Sequence, residues 1–190
     1  MLYNFLISLV DQFSALNVFK YLTFRTGLSV MSSMIIVFLV GGPFIRLIES
    51  YKITGPIRDD GPIGHIVKKT GTPTMGGLLI LIGILFGTLL WGDLKNPYIW
   101  ILLLVATSFG VLGAVDDYLK IKYSNSRGIS SGLKIISQII LSIIVVLLLI
   151  KFGDNNHLKN LYFPFFKNLI LHLGLFFIPF AVFIIVGSSN

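Results

Sequence analysis

Asp116 and Asp117 are adjacent carboxylates that close an uncharged apolar run, residues 96–115. Two like charges this close repel, so one pKa should rise unless a cation sits between or beside them. A divalent ion would relieve the repulsion, and Mg²⁺ takes one or two carboxylates together with substrate phosphates. If the helix continues past the acids, Lys120 falls on the face of Asp116 at i, i+4, and the same residues then read as a salt-bridged helix end. Lys122, Arg127 and Lys134 add positive charge nearby, suited to phosphate or to setting topology.

A second polar cluster runs from Ile57-Arg58-Asp59-Asp60-Gly61-Pro62 through His65 to Lys68-Lys69-Thr70-Gly71-Thr72-Pro73-Thr74-Met75-Gly76-Gly77. Thr72 before Pro73 reads as an N-cap followed by proline at the first helical position. A helix N-terminus offers free N–H groups and the positive end of the dipole, a natural place for an anion. Lys69 beside it is a point charge suited to phosphate, and an ordinary capped helix with a basic flank fits equally well. His65 could orient a phosphate or serve as a plain loop residue. No GxxxxGK[ST] sequence is present, so this is not a P-loop.

The elements that must carry these residues are membrane helices. The 190 residues are 55% hydrophobic and 12% charged, about half the charge of a soluble domain, and cannot cover a water-facing surface. Mean hydropathy is +0.89. The absence of cysteine excludes disulfides and thiolate chemistry. A net charge of +7 is read as basic loops against anionic lipid, with no nucleic-acid partner. The expected fold is an all-α polytopic bundle, a single domain over 1–190. Five spans are expected, at about 26–48, 71–92, 96–115, 130–150 and 169–188.

Before the first span, Leu2, Phe5, Leu6, Leu9, Phe13 and Leu16 recur at helical spacing and suggest one amphipathic interfacial helix. Tyr162-Phe-Pro-Phe-Phe166 is a second interfacial candidate, and Trp91 and Trp100 read as interface anchors. Nine of the 15 Lys and Arg residues fall in the loops after spans one and three, which places those loops, and both polar clusters, in the cytoplasm.

Arg58-Asp-Asp-Gly-Pro62, Gly71-Thr-Pro-Thr-Met-Gly-Gly77 and Asp116-Asp-Tyr-Leu-Lys120 resemble signature segments of the phospho-N-acetylmuramoyl-pentapeptide transferases. Phe19-Lys-Tyr-Leu-Thr-Phe-Arg25 and Val186-Gly-Ser-Ser-Asn190 are similar to that family as well. The resemblance covers the chain as the N-terminal half of a member. It implies transfer of phospho-N-acetylmuramoyl-pentapeptide from UDP to undecaprenyl phosphate, with Mg²⁺, releasing UMP and forming the first lipid-linked peptidoglycan precursor. It further implies an inner-membrane location. Asp116 and Asp117 would be the catalytic and metal-binding acids. Lys69, Thr72, Thr74, Lys120, Lys134, His65 and Asn190 would lie at the substrate phosphates. A third acid and a His-rich loop of the family fall beyond Asn190, so the expectation is that this chain alone is inactive. It would need a complementary C-terminal half, or pair as a homodimer. The alternatives are a non-catalytic remnant, one chain of a split enzyme, the related N-acetylglucosamine-1-phosphate transferases, and an anion transporter. The last would call for an inverted repeat or charges buried mid-span.

Overall fold

In lipid an apolar segment can satisfy its backbone only internally, so the uncharged runs fold as helices. The computed structural model describes residues 1–50, 75–123, 128–153, 158–163 and 166–189. The long elements are α2 (Leu22–Ser50), α4 (Pro97–Lys122) and α5 (Ser131–Phe152). Each is long and apolar enough to cross a membrane. Two shorter apolar helices are α3 (Gly76–Trp91) and α6 (Phe177–Ser189), the latter preceded by a 3-10 turn, Gly174–Phe176. At about 1.5 Å per residue α3 falls short of the hydrocarbon thickness. Three full-length spans are therefore described where five were expected.

Helices pack on their sequence neighbours, α2 on α3, α3 on α4, α4 on α5 and α5 on α6. The register is antiparallel: Gly41 of α2 meets Leu79 of α3, while Gly87 lies against Ser29 and Ser33. A Cβ at Gly83 or Gly87 would run into Val37, Ser33 or Ser29, so these two glycines let α2 and α3 approach backbone to backbone. Leu81 occupies the space beside Gly110 in the same way, joining α3 to α4. On α5 the buried stripe is Gln138, Ser142, Val145 and Val146, at helical spacing. The Ser142 hydroxyl donates to the Gln138 carbonyl at 2.7 Å. The outward surface is apolar, as a lipid-facing or protein-facing exterior requires.

The chain before α2 departs from expectation. A short α1 (Leu2–Ser8) and a 3-10 segment (Ser14–Lys20) replace one continuous amphipathic helix, with Phe13 extended between them. Tertiary contacts outweigh the helical period. The Met1 ammonium donates to the Leu89 carbonyl at 2.6 Å. Phe19 stacks on Trp91, ring centroids 5.8 Å apart. The Trp91 indole N–H reaches the Ser32 hydroxyl at 3.1 Å, and that of Trp100 reaches the Leu94 carbonyl at 2.9 Å.

After α5 the chain forms an antiparallel hairpin, β1 (Asn160–Phe163) with β2 (Phe166–His172), pairing Asn160 with His172 and Tyr162 with Ile170. The fifth apolar segment was expected to be helical from residue 169. Its first residues are spent on this strand, and the helix proper begins at Phe177.

Candidate functional site

Antiparallel packing gathers the C-terminal ends of α2 and α4 and the N-terminal ends of α3 and α5 at one end of the molecule. The segment 51–74 leaves and re-enters the described structure at that end. Lys69, Thr72, Thr74, His65 and Asn190 lie outside the described residues. The helix start anticipated at Thr72–Pro73 lies outside the described residues as well; the described helix begins at Gly76, after Met75, whose φ of 69° is left-handed.

Asp116, Asp117, Lys120 and Lys134 are brought together. Because α4 runs through Lys122, Asp116 and Lys120 share a face, and the Lys120 ammonium lies 2.6 Å from Asp116 Oδ2. It also lies 3.5 Å from Asp117 Oδ1, so one lysine stands between the two acids. Among the described residues these are the only ion pairs. Asp116 Oδ1 accepts the Ile129 backbone N–H at 2.8 Å. Both of its oxygens are therefore engaged, and the residue is buried, 7% exposed. The Asp117 side chain is 35% exposed and its Oδ2 carries no partner among the described residues. Lys134, in the first turn of α5, stands near enough for its charge to act on Asp116.

Sequence reasoning missed the turn that holds Asp116. Gly128 has φ of +58°, and a Cβ there would overlap Asp116 Oδ1 and press on Lys120 Cε. Only a glycine lets the turn close over the carboxylate and deliver the Ile129 N–H. The signal was a lone glycine between the basic end of α4 and Ser130, the N-cap of α5.

Val115 and Val111 on α4, with Thr107 deeper, line one wall of a groove of about 580 Å³ whose other wall is Ser137, Ile140 and Leu141 of α5. The groove reaches Val115, the residue before Asp116, and runs from there toward the middle of the helices. Among the described residues no three His, Cys, Asp or Glu side chains converge on a metal position. A Mg²⁺ held by one carboxylate and phosphate oxygens needs no such cluster, and Asp117 Oδ2 is the oxygen available for it. Asp116 is less suited, since Lys120 and the Ile129 N–H already take its lone pairs.

The family model described as phospho-N-acetylmuramoyl-pentapeptide-transferase signature 1 matches residues 69–81. Over all 190 residues the chain is 62% identical to the phospho-N-acetylmuramoyl-pentapeptide-transferase of Pelagibacter ubique, of which it covers 53%. It is 46% identical to the protein of that name from Thermodesulfovibrio yellowstonii, covering 52% of it. With the one from Caulobacter vibrioides the identity is 41% and the coverage 53%. The chain thus spans about half the length of the curated relatives it matches.

Proposed function

We propose that this chain, similar over its whole length to about half of the phospho-N-acetylmuramoyl-pentapeptide-transferases it matches, is a member of that family and supplies one part of an inner-membrane enzyme. That enzyme moves phospho-N-acetylmuramoyl-pentapeptide from its UDP carrier to undecaprenyl phosphate. The observation that carries the reading is the lysine-bridged acid pair on the same helix as an apolar groove that reaches Val115, the residue before Asp116. A polyprenyl chain lies in such a groove while its phosphate stays at the bilayer edge. The groove accommodates an apolar chain, and Lys120 and Lys134 offset phosphate charge beside it.

In the transfer an oxygen of undecaprenyl phosphate attacks the sugar-bearing phosphorus of the UDP-linked substrate. The bond from that phosphorus to the bridging oxygen breaks, and UMP leaves with its electron pair. Both reactants are anions, so the protein's task is to neutralise and align them. Mg²⁺, when bound, supplies further positive charge at the phosphates. Asp117 is the carboxylate free to hold it, or to take a proton from the attacking lipid phosphate. Asp116 fixes Lys120 and the Gly128–Ile129 turn. The end of the molecule that carries Asp116, Asp117 and Lys120 is assigned to the cytoplasmic side, where the water-soluble substrate is. Lys69, Thr72, Thr74, His65 and Asn190 contribute further contacts to its phosphates.

A chimera tests this reading. The chain replaces the corresponding half of the Pelagibacter relative, and transfer of labelled phospho-sugar to undecaprenyl phosphate is measured. Turnover comparable with the parent is expected. A stably inserted chimera with no turnover would count against a catalytic role and favour a non-catalytic membrane element.

A further inference from the structure

At the end of the helices opposite Asp116 lies a second pocket of about 270 Å³, lined among others by Arg25, Ser29, Thr88, Trp91, Asp93 and Asn96. It sits where α2 begins, α3 ends and α4 begins, so three helix ends place it at the level of lipid headgroups. Trp91 with Phe19 stacked on it is the aromatic pair expected at that level.

The pocket holds two opposite charges that do not pair with each other. The Arg25 guanidinium lies over the Tyr3 ring, 4.1 Å from its centroid. Its Nε is buried and has no hydrogen-bond partner. A buried charged donor left unmade is costly, and a guanidinium fork is matched best by phosphate or carboxylate oxygens. Asp93 accepts only the Lys95 backbone N–H, at 3.1 Å through Oδ1, and no cationic side chain lies within ion-pair distance of it among the described residues. The Met1 ammonium is nearby but is committed to the Leu89 carbonyl at 2.6 Å.

We propose that this pocket binds the headgroup of a phosphatidylethanolamine lipid, its phosphate on Arg25 and its ammonium on Asp93. A phosphodiester pairs with the Arg25 guanidinium, which lines the pocket and has no acidic side chain within ion-pair distance among the described residues. A primary ammonium donates to the free oxygen of Asp93, which a quaternary ammonium cannot do and a glycerol headgroup does only without charge. The site is separate from the acid pair and does not depend on the transferase reading.

The 190-residue chain itself serves for the test. With Trp100→Phe, Trp91 is the sole tryptophan. The chain is placed in phosphatidylcholine vesicles containing a minor fraction of lipid brominated near the glycerol, as phosphatidylethanolamine, phosphatidylglycerol or phosphatidylcholine. Quenching of Trp91 by the brominated phosphatidylethanolamine should exceed that by the other two about threefold, the preference one partly exposed charge pair supplies. Asp93→Asn should bring phosphatidylethanolamine down to the level of phosphatidylglycerol, and Arg25→Gln should abolish selectivity for either. Equal quenching by all three lipids overturns the proposal. So does a preference that survives Asp93→Asn, or one erased by excess inorganic phosphate, which would make the ligand a free anion. Asp93 lies between helices, so its variant remains informative where Arg25→Gln fails to insert, as judged by circular dichroism.

Discussion

Asp116 and Asp117 are neighbours in sequence with different surroundings. Asp116 is buried with both oxygens bonded, one to Lys120 and one to the Ile129 N–H. Asp117 is more exposed and shares Lys120 only at 3.5 Å. In a full-length enzyme carrying this segment, Asp117→Asn should lower turnover by about 100-fold or more and leave the melting temperature unchanged. Asp116→Asn should lower both, because Lys120 and the turn lose an anionic acceptor while part-buried. Identical thermal behaviour of the two variants in detergent would remove this division of roles. The turn gives an independent check. Gly128→Ala places a Cβ at φ +58° against Asp116, and the left-handed backbone alone costs about 1 kcal/mol. Gly128→Asn tolerates the backbone angle but not the overlap, so it should stay as impaired as Gly128→Ala in turnover. Rescue by asparagine would show that the angle matters and the closeness to Asp116 does not.

At the scale of elements, α2, α4 and α5 were legible because each is an uncharged run bounded by Lys, Arg or Asp, and lipid leaves such a run no structure but a helix. Their ends were less legible. α4 continues past Val115 to Lys122, and it is this extra length that puts Lys120 beside Asp116. The salt bridge was foreseeable from i, i+4 spacing once the helix was allowed to continue, whereas the Gly128 turn depends on how α4 and α5 meet. The hairpin was not legible: Ile170 and Leu171 suit a span as well as a strand, and the choice is made by pairing with Tyr162 and Leu161. Helix contacts were legible only as small residues that permit closeness. Gly83 and Gly87 on α3 are such residues, and the structure sets them against Val37, Ser33 and Ser29. Gly87→Leu should therefore destabilise the α2–α3 pair by about 1–3 kcal/mol, as overpacking does. Ser33→Ala, which only removes atoms there, should change the melting temperature little. Equal tolerance of both in a thermal-shift series would mean that the two helices do not meet this closely in the bilayer.

At the scale of the molecule, the two ends of the bundle separate two kinds of chemistry, and each can be addressed because the chain has no native cysteine. Cysteines introduced at Asp60 and Asn125 should label only from the cytoplasm, and one at Asp93 only from the opposite side. Labelling of Asn125 and Asp93 from the same side would break the antiparallel order on which both sites rest. That order also bears on what these 190 residues do unaided. The helices pack as a series in which each touches its sequence neighbour, and among the described residues no substantial contact joins α2 to α5 or α6. The acid pair is accordingly walled by α4, the Gly128 turn and α5, while Val111, Val115 and Tyr118 remain exposed. The curated relatives it matches are about twice as long, so these residues are about half of such a chain. Phosphoryl transfer between two anions requires groups on both sides, held in line and away from water. The purified chain, given Mg²⁺, undecaprenyl phosphate and the radiolabelled UDP-linked pentapeptide, should give no transfer above background. It should still show increased thermal stability on adding the polyprenyl phosphate, because Lys120 and the groove are already formed. Turnover by the chain alone would require the missing wall to come from a second copy. A concentration-dependent rate, lost when α4 carries a charged residue at Val111, would identify that arrangement.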